Sequence, residues 1–390
     1  MKILFTRFPL ESRFGGAEVQ TISLMKGLRE KGHEVSFLGS CPTLLAELPK
    51  HGISVQKLDI GNPPVTKFGA VSFFWRQFGM KKKLIDVVDS WVRRTKSCSA
   101  CENDDNAQST SSTCGPKNNQ NNAAIFMLSL TEKLLLTDYA VQKGIKVFWV
   151  EHDKVDRWLT VNPWLPHLLR LSRQATTITV SDLSREIYKK LGWSSEHVIS
   201  IPDGIDVKKF VQKEKKIYPN DVFRCGCIAR LTRDKGVDVL LGAMASFSDI
   251  HLTIIGKGPE EKTLRAYTKE HHLDSRVRFA SDVPLNELYK DLDVLILPSR
   301  EHDPFGMVVA EAMACGIPTI CTTQCGISAH LQPGESLIAR ADDAEALRDA
   351  LETVQEQEVW DVLAENGPRI ALERFSSDAM VNTYAALLEK

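Results

Sequence analysis

Asp303 and Glu311 stand eight residues apart in Pro298-Ser299-Arg300-Glu301-His302-Asp303-Pro304-Phe305-Gly306-Met307-Val308-Val309-Ala310-Glu311-Ala312-Met313-Ala314-Cys315-Gly316-Ile317-Pro318. The pattern reads as a strand end, a polar loop, a Phe-Gly turn and a helix starting near Met307. The first N–H groups of a helix lack intrahelical partners and carry a partial positive charge, so such a start suits anions and hydroxyl oxygens. Glu311 lies one turn further in. A carboxylate there accepts two hydroxyl hydrogen bonds, as a ribose diol offers, or pairs with a neighbouring Lys or Arg. His302 fits a polar surface residue more readily than a catalyst.

Three other loops offer related chemistry. Arg230 and Lys235, in Ile228-Ala229-Arg230-Leu231-Thr232-Arg233-Asp234-Lys235-Gly236, follow a strand and precede a helix. Two cations there can clamp a diphosphate, the Arg through its fork and the Lys as a point charge; a solvated loop carries such charges as well. Ile255-Gly256-Lys257-Gly258-Pro259 is a Gly-rich strand end. Gly15-Gly16-Ala17-Glu18 opens a helix after the first strand, where backbone approaches a phosphate closely or simply makes a tight connection.

The elements that position these loops alternate along the chain. Short β-branched runs at 34–38, 146–150 and 176–180 are separated by amphipathic helical stretches such as 17–31, which Gly32 ends. Repeated βα units imply parallel sheets with helices on both faces. The second half reads as a complete doubly wound domain, with strands at 222–229, 251–256, 276–280, 293–298, 317–322 and 336–339. Its helices fall at 237–247, 259–272, 285–291, 307–315 and 343–356. Ligands of such sheets bind beyond the carboxyl ends of the strands, where all four loops lie.

Two stretches break the alternation. Residues 97–122 contain no Leu, Ile, Val, Met or aromatic residue and read as a flexible surface insertion. Residues 207–221 are Lys-rich and read as a linker. The 390 residues suit two domains, and a net charge of −1 lacks the basic excess of a nucleic-acid binder. No apolar run reaches the ~18 residues of a membrane span. With no signal-peptide pattern and nine scattered cysteines, reduced thiols and a cytoplasmic location are expected.

The chain resembles the retaining glycosyltransferases of family four, which have the GT-B fold. Asp303 to Glu311 resembles that family's acidic-x7-Glu signature. Gly15-Gly16-Ala17-Glu18, His152 after a strand, Ile201-Pro202-Asp203-Gly204-Ile205-Asp206, Arg230 with Lys235, and Gly256-x-Gly258 follow the family's order. The resemblance covers nearly the whole chain. It implies two facing doubly wound Rossmann-like domains with a cleft between them: an acceptor-side domain 1–206, linker 207–221, nucleotide-sugar domain 222–370, and a returning helix 371–390.

The resemblance also implies roles. Arg230 and Lys235 would hold the donor diphosphate, with Gly15, Gly16, Gly256 and Gly258 around it. Glu311 would bind the ribose, and backbone from Ala280 to Val283 the base. Asp303, with N–H groups of Phe305, Gly306, Met307 and Val308, would hold sugar hydroxyls, and His152 would reach the sugar near the reacting carbon. Asp303 stands where the family more often has Glu, and Asp203 where Asn is usual. The first bears on sugar identity; the second reads as a tolerated turn substitution.

The expected activity is transfer from a nucleoside-diphosphate sugar to a glycan or lipid-linked acceptor, with retention and with no cofactor or metal. A nucleotide-sugar epimerase of the same fold and a non-catalytic nucleotide-sugar binder are the alternatives. Cys98, Cys101 and Cys114 lack the fourth ligand of a structural zinc site. Residues 73–94 mix aromatic and basic side chains. Such a helix can lie peripherally in a membrane interface or form an amphipathic domain helix with a solvated cationic face.

Overall fold

The computed structural model describes residues 1–9, 15–93, 122–155, 157–210, 217–219, 222–281, 283 and 289–389. Of the expected insertion 97–122, all but Asn122 lies outside the described residues, with Cys98, Cys101 and Cys114, as do Asp282 and most of the expected helix 285–291.

Two parallel sheets carry the fold. The first has seven strands: β1 (Lys2–Arg7), β2 (Glu34–Gly39), β3 (Ser54–Lys57), β4 (Ala123–Met127), β5 (Lys146–Glu151), β6 (Thr176–Thr179) and β7 (Val198–Ser200). They run in the order β3-β2-β1-β4-β5-β6-β7. The second has six: β8 (Phe223–Ile228), β9 (Ile250–Ile255), β10 (Val277–Ala280), β11 (Val294–Leu297), β12 (Thr319–Thr322) and β13 (Leu337–Ala339), in the order β10-β9-β8-β11-β12-β13. The strands expected from the sequence are present, with bounds shifted by one or two residues. The central strands are buried from both faces and near-continuously apolar; β11, Val-Leu-Ile-Leu, is buried throughout, while the edge strand β3 is largely exposed.

Strand order reverses beside β1 and β4 in the first sheet and beside β8 and β11 in the second. Ligands of doubly wound sheets bind at such switch points. The loops after β1, β8 and β11 carry Gly15–Gly16, Arg230–Lys235 and 298–306.

The first sheet's core is built on an aromatic ladder. Phe5, Phe126 and Phe148 are in register on adjacent strands and stack at 4.7 and 4.8 Å. Tyr384 packs on Phe126 from the last helix, Ser377–Glu389, which also contributes Met380, Val381 and Leu388 to this core. Burial of each such side chain contributes roughly 1.5–3 kcal/mol, which holds the chain's end on its beginning. Beside this helix, Ile205 N–H donates to Phe375 O at 2.7 Å and Ser377 N–H donates to Ile205 O at 2.8 Å, so two passages of chain between the sheets are bonded to each other. Within the expected linker, Val207–Lys209 form a 3-10 turn and the Phe210 ring packs on Tyr289.

Candidate active site

The loop after β8 is held against the loop after β11 by backbone. Arg300 and Glu301 N–H groups both donate to Asp234 O, at 2.9 and 3.1 Å. A Cβ on Gly236 would meet Pro298 O at 2.2 Å, so only glycine fits there. This closeness brings Lys235 to Asp303: Nζ donates to Oδ2 at 2.7 Å, and Ser299 Oγ donates to the same oxygen at 3.1 Å. The implied phosphate lysine and the implied sugar carboxylate are therefore one nearly buried ion pair. Arg230, five residues earlier, is exposed.

Gly256 and Gly258 let two loops touch. A Cβ on Gly256 would lie 1.8 Å from Ala229 O, and one on Gly258 2.2 Å from Leu231 O. The loop after β9 is pressed onto the loop after β8, with Leu231 N–H donating to Lys257 O at 3.0 Å. These glycines support the segment that carries Arg230.

Helix Met307–Ala314 follows Gly306, whose φ of 100° disfavours residues with a Cβ. No side chain caps its start and no acidic residue lies in its first turn, leaving the positive end for a ligand. Phe305 is buried with its ring edge-on to Phe375, while Met307 and Val308 are partly buried. Glu311 is buried, and its Oε2 accepts a hydrogen bond from the Tyr289 hydroxyl at 2.9 Å. Burial pushes the Glu311 carboxyl up to about 7, and the Tyr289 hydrogen bond works against that rise. Val283, three residues beyond the end of β10, packs on the same cluster as Tyr289.

The first sheet meets this side directly. Helix Gly16–Glu30 begins after Gly15 with no side-chain cap, and a Cβ on Gly16 would come within 3.2 Å of Met307 Sδ. Gln20, one turn in, donates from Nε2 to Gly204 O at 2.8 Å and to Met307 Sδ at 3.4 Å. Two uncapped helix starts, one from each sheet, thus converge on one cleft. His152 follows β5, with Nδ1 3.4 Å from Asp203 Oδ1, both groups nearly buried. Lys154 reaches across to Glu301 at 2.6 Å. His302 is not a surface residue: it is buried, and its Nε2 lies 2.9 Å from Ser184 Oγ of the first-sheet side. Burial lowers its pKa to about 4, against the opposing pull of Asp303.

Sequence reading missed Tyr289, Ser299, Gln20 and the Asp203–His152 contact. Tyr289 lies 22 residues before Glu311 in a segment with no motif. Asp203 offered one signal, its departure from the expected Asn.

Residues 208–369, which contain Arg230, Lys235, Asp303 and Glu311, match the family described as Glycosyl transferases group 1. The match covers most of the second sheet's unit and less than half of the 390 residues. Among similar curated proteins, the putative colanic acid biosynthesis glycosyltransferase WcaL of Salmonella typhimurium is 28% identical over 54% of this chain and 56% of its own length. The GDP-mannose-dependent monoacylated alpha-(1-6)-phosphatidylinositol monomannoside mannosyltransferase of Corynebacterium glutamicum is 25% identical over 56% of this chain and 63% of its length. The chain thus spans little more than half the length of these relatives. The structure of Anabaena HepE in complex with UDP matches all of both chains, with a TM-score of 0.76 at 18% identity. The GT-B fold expected of a group 1 glycosyltransferase is therefore present, as two facing α/β sheets.

Proposed function

We propose that the chain transfers a glycosyl group from a nucleoside-diphosphate sugar to an acceptor hydroxyl with retention of configuration and without a metal. The observation that carries this reading is the meeting of the uncapped helix starts at Gly16 and Met307, with Lys235 held on Asp303 in the loop that leads into the Met307 helix. Positive ends and fixed cations aimed at one place stabilise a departing diphosphate, a preorganised arrangement that is usually the largest catalytic contribution. Glu311, one turn beyond the phosphate end, is spaced for the ribose diol. The backbone from Ala280 to Val283 would meet the base. Asp303 would take sugar hydroxyls while Lys235 neutralises it, with N–H groups of Phe305 to Val308 alongside. His152 would face the sugar from the opposite side.

In the step itself, the acceptor oxygen forms a bond to the anomeric carbon and the bond from that carbon to the diphosphate oxygen breaks. The bonding electron pair leaves with the diphosphate, and the acceptor's proton passes to the same departing phosphate on the same face.

The acceptor side is assigned to residues 1–206 and the donor side to 222–370, joined by 207–221 and closed by 371–390. A cavity of about 380 Å³ in the first of these is lined by Arg7, Phe8, Lys133, Glu151, Trp158 and Tyr188. Its charged and aromatic walls suit the polar edges and apolar faces of a sugar. Glycan and lipid-linked acceptors both fit, in keeping with the relatives named for colanic acid and for a phosphatidylinositol mannoside.

A thermal-shift screen of nucleotide sugars tests the donor site. A donor at 100 times its Kd adds about 2.7 kcal/mol of stability. The product's anomeric configuration by NMR, and turnover in chelator, test the rest. No stabilisation by any nucleotide or nucleotide sugar removes the donor site. An inverted product, or activity lost to EDTA and restored by Mg²⁺, removes the mechanism; epimer formed without acceptor replaces transfer with epimerisation.

A further inference from the structure

Helix Lys67–Arg93 is apolar on two opposite faces. Its inner face, with Phe73, Met80, Leu84 and Val88, is buried in the first sheet's core. Trp164 fixes it there, ring edge against Phe73 at 5.1 Å and indole N–H donating to Ala70 O at 2.9 Å. The outer face carries Phe68, Val71, Phe74, Trp75 and Phe78, five of the twelve exposed large apolar residues among those described and every aromatic one of them. Phe68 is 85%, Trp75 79% and Phe78 73% exposed. At 100° per residue, positions 68, 71, 75, 78 and 82 share one side of a helix, so the stripe runs directly into Lys82, with exposed Lys81 and Lys83 flanking it. The anchored inner face holds the backbone still, so the stripe is presented as a fixed edge.

We infer that this outer face docks on an anionic lipid bilayer. Contiguous exposed apolar patches mark interaction sites, and aromatic side chains beside lysines match the layered chemistry of a membrane interface, apolar below and anionic above. Charge selects lipid over a second copy of this chain. The helix carries six basic against two acidic residues in a chain of net charge −1. One of those acids, Asp89, is already bonded to Tyr139 and lies 3.8 Å from Lys143. Pairing two such helices would set like charge against like. Docking also sets the mouth of the 380 Å³ cavity near lipid, because Pro63, Val65 and Thr66 line it immediately before the helix begins.

The inference goes beyond the transfer reading, and its test measures binding rather than turnover, so either can fail alone. In flotation at low salt, the chain should rise with phosphatidylcholine vesicles containing phosphatidylglycerol and stay down with phosphatidylcholine alone. Replacing Lys81, Lys82 and Lys83 by Gln should lower partitioning about a hundredfold. Trp75→Ser with Phe78→Ser should lower it at least about tenfold, with circular dichroism and melting unchanged because both side chains are exposed. The inference is overturned by no flotation of the folded chain, or by equal flotation with and without phosphatidylglycerol. Flotation insensitive to the aromatic pair also overturns it. So does sedimentation showing a dimer that the aromatic pair dissolves, since the face then belongs to a second copy.

Discussion

Lys133–Glu151 under the first sheet's rim and Lys235–Asp303 beside the second's are ion pairs of the same length, 2.7 Å. Their surroundings separate them. Lys133 and Glu151 are 3% and 8% exposed, and Lys133 also lies 3.4 Å from the Val150 carbonyl. Lys235 and Asp303 are a little more open, at 11% and 12%, and both lie on loops at a switch point, with exposed Arg230 nearby. Lys133 borders the 380 Å³ cavity, but its charge is taken up by Glu151 and the Val150 carbonyl, so its first duty is stability. A cation at the mouth of a cleft is shared between its carboxylate and any anion that enters. Identical bonds therefore do different work according to what else can reach them.

That contrast sets the expected outcomes. The largest is on the enclosed pair: Lys133→Met leaves Glu151 buried without its cation and should cost about 3–5 kcal/mol, read by urea unfolding. Survival of the variant within about 1 kcal/mol would place that pair with surface bridges and dissolve the comparison. On the open pair, Lys235→Ala should lower kcat/KM by about 100- to 1000-fold, the effect of removing one preorganised donor, while losing less stability than Lys133→Met. The reverse ranking would mean that Lys235 is structural.

Glu311→Gln should reduce donor use about ten- to a hundredfold, since a hydrogen bond to a charged group contributes roughly 1.5–3 kcal/mol. It has a second reading in pH. The carboxyl is raised from 4.5 to about 7 in the folded chain. Its contribution to stability is thus fully present below pH 4.5 and is lost as pH rises through about 7. Unfolding curves between those limits should slope less steeply for the Gln variant; an unchanged slope would show Glu311 is not the titrating group. The smallest effect belongs to Arg230→Ala. Its exposed side chain should change stability by no more than about 0.5 kcal/mol, while turnover falls. A large loss of stability would move Arg230 into the fold's support.

The alternation of β-branched runs and helices was legible because each element is a local pattern. Val-Leu-Ile-Leu at β11 can hardly be anything but a strand covered on both faces, and Gly306 before Met307 marks its helix. The order of the site loops was legible for the same reason, since a βα unit places each loop at a known end of its strand. What a loop faces was not. Asp303 meets Lys235 across 68 residues because Gly236 permits two loops to touch, and Tyr289 reaches Glu311 from a segment without signature. His302 read as a surface residue because its polarity was judged alone, without the Ser184 that buries it. Asp203 read as a turn substitution, though it faces His152.

The bonded crossing of Ile205 with Phe375 and Ser377 has a mechanical consequence. One strand between two rigid bodies is a tether, and the bodies can swing, slide or twist about it. Two strands lying side by side, joined by hydrogen bonds of 2.7 and 2.8 Å, form a strap. Sliding shears those bonds and twisting splays them, while bending across the strap leaves both intact. Of these motions, bending across the strap is the one that those two bonds oppose least.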